Sequence, residues 1–206
     1  MLIDIYQPYG SLEAAISGTE APKEITDQLA LVEVDFLSFD GVRKLGELVI
    51  ASELAGEIQE IFGILLFKKF PIGSVIPMKF FNWNDHASMS HGRVEDEAVP
   101  GNTSAFNYRL VPGEDVLSAH GPGRAADLNP DLNPYNYPPW VPVEEHYNYA
   151  PRDIERPGTI VEGGVVTRAF DAYGWEWGGR WPHPDYQHFQ KLAGTVSEMY
   201  ICRQTI

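Results

Sequence analysis

The segment His120–Asp127 carries an imidazole and a carboxylate on either side of a predicted turn. Its sequence is HGPGRAAD, and two glycines that flank a proline favour a tight turn. The residues after the turn can then run back beside His120 as a strand, with Ala125 and Asp127 on one face. An imidazole that faces a carboxylate forms half of a zinc site, which still needs a third ligand and an open position for water.

The segment DYQH, residues 185–188, offers the missing groups. Asp185 and His188 are three residues apart, so one helical turn or a tight bend can bring both side chains to the same place. His188 is then a candidate third ligand, and Asp185 is a candidate general base that takes a proton from water. Each residue alone also has a structural explanation, since Asp127 lies in a turn-like DLNP sequence and Asp185 could cap a helix. Spacing alone leaves both interpretations open.

A further polar pair is predicted on the strand NTSAFNYRLV, residues 102–111. Its alternation places Phe106 and Tyr108 on one face and Asn107 and Arg109 on the other. An arginine and an asparagine on the second face indicate a hydrated site there. The later stretch 130–157 is rich in proline, tyrosine and tryptophan, and we expect it to form a long irregular loop that is ordered at a cleft.

The elements that position these groups are predicted from apolar periodicity and turn residues. The predicted strands cover residues 29–37, 47–51, 74–81, 102–111 and 197–203, and the predicted helices run from Ser52 to just before Pro71 and over 164–173, ending at Gly174. Strands and helices do not alternate regularly, so we predict the α+β class. We expect one domain over residues 29–206, preceded by an irregular lead-in over residues 1–28.

Composition excludes several classes of function. The chain of 206 residues has a net charge of −14, which argues against nucleic acid as a partner and against docking on anionic lipid. No apolar run approaches the length of a membrane span, so we expect no membrane insertion. The first residues lack a basic start followed by an apolar stretch, so no secretory signal is expected, although one could have been removed. A single cysteine, Cys202, allows no internal disulfide.

Three motifs together resemble a known family. SAHGPGRAAD is similar to the Ser-x-His-(x)6-Asp motif of the zinc D-Ala-D-Ala carboxypeptidases, a family that includes VanY-like enzymes and the L-alanyl-D-glutamate peptidases of phage endolysins and bacilli. GWEWGGRWPHPDYQHFQ, residues 174–190, resembles the C-terminal signature of that family. NTSAFNYR, residues 102–109, is similar to the upstream segment that brings an arginine to the site.

The resemblance implies a site, a fold and a reaction. The implied ligands of one zinc ion per chain are His120, Asp127 and His188. Asp185 is implied as the general base, and Arg109 as the group that polarises the scissile carbonyl and stabilises its oxyanion. Ser118 is implied to bind the substrate or to orient the site. The implied fold is the small α+β fold shared with the Hedgehog signalling domain, with a central antiparallel sheet and flanking helices.

The implied function is hydrolysis of peptidoglycan stem peptides at the cell wall. The sequence does not decide between removal of a terminal D-Ala and cleavage of the L-Ala–D-Glu bond, nor does it give the oligomeric state or the export route. Gly121-Pro122 stands where the family commonly has Ala-Tyr, which leaves substrate preference open. Two alternatives remain: a Hedgehog-like module that contains zinc but does not hydrolyse, and a zinc amidase or peptidase with a substrate outside the cell wall.

Overall fold

The computed structural model describes residues 4–5, 9–91, 100–135 and 156–192. Helices and strands are mixed along this part of the chain. The helices are α1 (Leu12–Ala15), α2 (Lys23–Thr26), α3 (Ala55–Phe67), α4 (Asp85–Met89) and α5 (Val165–Ala172). The strands are β1 (Asp4–Ile5), β2 (Leu29–Leu37), β3 (Arg43–Ala51), β4 (Ser74–Val75), β5 (Asn102–Thr103), β6 (Ala125–Asp127), β7 (Glu176–Trp177) and β8 (His188–Gln190).

The longest strand pair is the antiparallel hairpin β2–β3. The alternating sequence LALVEVDFL buries one face of β2, as predicted, and the turn at Asp40-Gly41 places Gly41 at a φ of 78°. Pairing runs from Leu29 opposite Ala51 to Leu37 opposite Arg43, so the second strand is longer than the predicted 47–51. Strand β1 pairs in parallel with β3. Because β1, α1 and α2 all lie within residues 1–28, this segment is not wholly irregular.

Helix α3 packs against one side of the β2–β3 hairpin. A 3-10 turn over Ser52–Leu54 leads into the helix, close to the predicted start. The side chains of Ile58, Ile61, Phe62 and Leu65 form its buried stripe and join a core cluster that also contains residues of β2, β3, α5 and β8. The described residues therefore share one main hydrophobic core.

Two predicted strands are largely wrong. Over 74–81 only β4 is a strand, and a 3-10 turn follows at Met78–Phe81, because Pro77 has no N–H for a sheet ladder. Over 102–111 only β5 is regular. Beyond it the chain stays extended but changes partner, since the N–H of Phe106 donates to Val49 and that of Asn107 donates to His120.

A small antiparallel sheet in the order β6–β8–β7 supports the candidate site. Helix α5 lies behind it, with the Phe170 ring stacked on Phe189 of β8 at 4.0 Å between centroids. Helix α3 is tied to the same region through Glu57, which accepts hydrogen bonds from Trp175 and Lys191.

The α+β class is confirmed. The described strands form three sheets, in the orders β1–β3–β2, β4–β5 and β6–β8–β7. The pair β4–β5 is parallel, and the antiparallel pairs are β2–β3, β6–β8 and β7–β8. The predicted strand at 197–203 and most of the predicted loop at 130–157 lie outside the described residues. None of the described helices is long and apolar enough to span a bilayer.

Candidate metal centre

The turn after His120 has the conformation that the glycines predicted. Gly123 has a φ of 69°, and its N–H donates to the carbonyl of His120 at 3.0 Å. Its own carbonyl accepts from the N–H of Ala51 at 2.8 Å, and a Cβ at Gly123 would lie 2.8 Å from that nitrogen. Glycine is therefore required here by conformation and by space. The turn joins the His120 segment to β6 and holds both against the end of β3.

Pairing of β6 with β8 places two of the predicted ligands side by side. Asp127 and His188 are direct antiparallel partners, and Nδ1 of His188 lies 3.0 Å from Oδ1 of Asp127. Nε2 of His120 lies 3.2 Å from Oδ2 of Asp127 and 3.2 Å from Nδ1 of His188. All three side chains are buried, and their candidate ligand atoms lie within 4.8 Å of one another. The structure thus brings together the three residues that the motifs indicated.

The two histidines have their remaining nitrogens engaged by carbonyl acceptors. Nδ1 of His120 contacts the backbone carbonyl of Ala105, and Nε2 of His188 lies 3.2 Å from Oε1 of Gln190. A carbonyl oxygen only accepts, so in the neutral imidazoles these nitrogens carry the hydrogens. The nitrogens that face Asp127 then have free lone pairs. Two imidazole lone pairs and one carboxylate that converge in a buried place fit a divalent metal, and this nitrogen and oxygen donor set suits zinc.

The electrostatics of the metal-free chain agree with a site built for positive charge. The pKa of Asp127 lies below its ordinary value, because the nearby His120 and His188 outweigh the burial that alone would raise it. The pKa of His188 is raised to about 9: burial favours the neutral ring, but the hydrogen bond and the charge of Asp127 outweigh that effect. Without a metal, a proton on His188 therefore balances the carboxylate, and a metal held by these residues would displace that proton.

Asp185 lies in a tight bend before β8, as its spacing from His188 allowed. Its N–H donates to the carbonyl of Gly178 at 3.0 Å, and a Cβ at Gly178 would lie 2.7 Å from the carbonyl oxygen of Asp185, so glycine permits this close approach. The residue is partly exposed, but its Oδ1 is buried and has no hydrogen-bond partner among the described residues. Burial raises the pKa of Asp185 to about 7, against the lowering effect of His188 and Arg109. A carboxyl with that pKa can exchange a proton near neutral pH.

Arg109 is held beside the site by a residue that the sequence analysis did not single out. Its Nε pairs with Oδ2 of Asp85 in the first turn of α4, and Oδ1 of Asp85 accepts from Nδ2 of Asn107 at 2.7 Å. Asn107 and Arg109 thus share one partner, which confirms that they lie on one face. Phe106 and Tyr108 pack together in a hydrophobic cluster on the other face. Because Asp85 lies 24 positions before Arg109 in the sequence, no local pattern indicated the pair.

Ser118 and Gln187 support the ligands from neighbouring positions. Ser118 is buried, its N–H donates to the carbonyl of Arg109, and its Oγ accepts from the N–H of His120 at 3.3 Å. These contacts orient the turn, whereas binding of substrate by Ser118 stays a prediction. Gln187 is also buried, and its Nε2 lies 3.4 Å from Oδ2 of Asp127. Its position beside two predicted site residues in DYQH was the only signal for it.

Comparison with known families agrees with this geometry. A family model described as D-alanyl-D-alanine carboxypeptidase matches residues 112–191, which include His120, Asp127, Asp185 and His188 and begin just after Arg109. Neither the curated proteins nor the solved structures gave a match. The roles of the individual residues stay predictions. The resemblance of the motifs in this segment is confirmed: residues 112–191, which hold most of the candidate site, match the D-alanyl-D-alanine carboxypeptidase family of peptidases.

Proposed function

We propose that the protein is a zinc-dependent peptidase that hydrolyses stem peptides of peptidoglycan at the cell wall. One observation carries this proposal: two buried imidazole nitrogens converge on Asp127 inside the segment that matches the family. Those nitrogens belong to His120 and His188. The substrate bond is a terminal D-Ala-D-Ala bond or the L-Ala–D-Glu bond.

The ligands would hold one zinc ion, which when bound supplies a Lewis acid and lowers the pKa of water. Asp185 takes the proton from the attacking water. Its buried Oδ1 has no other hydrogen-bond partner in the described residues, and its pKa of about 7 lets it accept and return a proton near neutral pH. The same carboxyl can then deliver this proton to the departing amine.

Arg109 donates hydrogen bonds to the carbonyl oxygen as negative charge develops on it. The guanidinium has five N–H bonds, and its contacts with Asp85 and with the carbonyl of Leu110 use only part of them. About a quarter of its side chain is exposed, so a substrate can reach it. The ion pair with Asp85 holds the guanidinium beside the site before substrate binds, so less reorganisation is needed in the transition state.

Mass spectrometry of purified muropeptides tests the function and names the bond. The protein, loaded with one equivalent of zinc, is incubated with pentapeptide and tetrapeptide muropeptides. Loss of one alanine from the pentapeptide alone identifies a carboxypeptidase, and separation of the glycan with its first alanine from the remaining peptide identifies the endopeptidase.

Two controls connect the activity to this site. A chelated sample and the His120→Ala variant should leave all muropeptides intact. The variant Asp115→Asn, which changes an exposed carboxylate on a loop, should cleave as the wild type does. If zinc-loaded wild-type protein leaves every stem peptide intact, peptidoglycan is not the substrate.

A further inference from the structure

We propose that Gln190 and Glu176 are positioning residues that determine which nitrogen of His188 faces the metal site. The inference rests on the proposed metal site, because it concerns how one of its ligands is presented. It assigns a function to two polar side chains on the surface of the sheet that the motifs left without one. No contact of either residue with the substrate is involved.

The two residues form a hydrogen-bonded line that ends on the ligand. Glu176 on β7 and Gln190 on β8 are direct partners in the sheet. Nε2 of Gln190 donates to Oε2 of Glu176 at 2.8 Å, and Oε1 of Gln190 lies 3.2 Å from Nε2 of His188. His188 and Gln190 are two positions apart on one strand, so their side chains lie on the same face of the sheet.

Glu176 decides the orientation of the amide. A carboxylate only accepts hydrogen bonds, so the NH₂ group of Gln190 must face Glu176 and the amide oxygen must face His188. That oxygen can only accept, and the hydrogen of the neutral imidazole is therefore held on Nε2. Nδ1, on the side of Asp127, is left with its lone pair free. A reversed amide would direct its NH₂ group at Nε2 and favour hydrogen on Nδ1, the atom that must bind the metal.

Trp181 anchors the line at its outer end. Its Nε1 donates to Oε1 of Glu176 at 2.8 Å, so both carboxylate oxygens of Glu176 are engaged. The indole ring also lies 5.3 Å from the ring of His188. Glu176 is therefore held in one position although it is exposed, and the imidazole is covered on one side by the same residue that fixes Glu176.

The effect on metal affinity follows from the place of each residue in the line. Loss of a group that orients a metal-binding histidine typically costs about 10–100-fold in metal affinity. Gln190→Ala removes the direct acceptor, so we expect a loss in this range. Glu176→Gln leaves an amide that permits both orientations of Gln190, and because position 176 is exposed we expect a loss of about tenfold, at the lower end of that range.

Zinc affinity, measured by competition with a chromophoric chelator, tests the proposal without any substrate. The decisive variant is the exchange Glu176→Gln with Gln190→Glu in one chain. It places a carboxylate next to Nε2 of His188 and an amide donor opposite, which restores an acceptor with a fixed orientation. We expect its zinc affinity to return to within about threefold of the wild type, a smaller loss than the one expected for Gln190→Ala. Glu57→Gln is the matched control, since Glu57 accepts from Trp175 and Lys191 beside the same sheet.

Nitrogen NMR of the zinc-loaded protein gives a second readout. We expect hydrogen on Nε2 of His188 in the wild type and in the exchange variant. The inference is overturned if Gln190→Ala binds zinc as tightly as Glu57→Gln does, or if the exchange variant binds no better than Glu176→Gln. Should Gln190→Ala not fold, the comparison of Glu176→Gln with the exchange variant decides alone. A wild-type protein that binds no zinc would instead refute the proposed function, which separates the two failures.

Discussion

Replacement of Asp185 by Asn should abolish catalysis while leaving the metal site intact. Asn is close to Asp in size, but its amide cannot accept a proton at neutral pH. We expect turnover of the susceptible muropeptide to fall by about 10²–10⁴-fold, the range typical of a missing general base. Zinc content should stay near that of the wild type, because the ligand atoms belong to His120, Asp127 and His188.

The same substitution should stabilise the metal-free protein at high pH. The folded-state pKa of Asp185 is about 7, above its ordinary 3.8, so the folded protein binds this proton more tightly than the unfolded chain does. The stability contributed by this group is complete below about pH 4 and is lost as the pH rises to about 7. The loss is on the order of 2–4 kcal/mol, and we favour the lower end because the residue is partly exposed. Asn does not titrate and avoids this loss.

Urea unfolding with a chelator present measures the effect. The free energy of unfolding of Asp185→Asn minus that of the wild type should become more positive between pH 4 and pH 8. Asp115→Asn, at an exposed position, should show no such trend. Substantial turnover in Asp185→Asn would place the base elsewhere, with His183 as the first residue to examine. Loss of zinc, or a stability difference that does not change with pH, would contradict the assignment of a buried base.

Four other expectations concern the ligands and Arg109. The wild type should hold about one zinc per chain, and His120→Ala or His188→Ala should lose most of it by elemental analysis. Zinc affinity should rise about tenfold per pH unit below pH 9, because zinc would displace the proton on His188, whose pKa is about 9. Zinc titrations at several pH values check this, and an affinity that does not change with pH contradicts it. Arg109→Ala should lower kcat by about 10²–10³-fold with little rise in KM, and Lys should restore little of it, as steady-state kinetics will show. Asp85→Asn should lower kcat by about 10–100-fold by releasing the guanidinium, and an unchanged kcat would remove Asp85 from the mechanism.

The three candidate ligands could be singled out because their signals are local, although the family resemblance was needed to imply them as one ligand set. Two glycines and a proline after His120 indicate a turn whatever the tertiary structure around them. A strand that follows this turn then places Asp127 at a fixed distance from the turn. The bend at Asp185 likewise needed only three residues. The pairing of β6 with β8 was not predicted from pattern, since both strands have three residues and are too short for periodicity to show.

The supporting residues could not be predicted because their partners are distant or their elements were not recognised. Asp85 meets Arg109 only through the packing of α4, and Glu176 meets Gln190 only through the register of a sheet. Gln190 itself is two residues from His188, and its orientation toward the histidine would follow from a strand over 188–190. The sequence offered no alternation there long enough to indicate one.

The burial and the pKa of Asp185 favour a hydrolytic enzyme over a zinc-containing module that only binds a partner. Oδ1 of Asp185 has no hydrogen-bond partner among the described residues, and a buried oxygen in that condition typically costs a domain about 1–3 kcal/mol. A module that only binds gains nothing from this cost, since its zinc needs only the three ligands. A hydrolase needs a carboxyl that takes up and returns a proton near neutral pH, and a carboxylate fully paired with hydrogen-bond donors keeps a low pKa. The pKa of about 7, the glycine at 178 that admits the bend, and an Oδ1 without a partner in the described part of the chain therefore fit proton transfer and have no evident use in a static metal site.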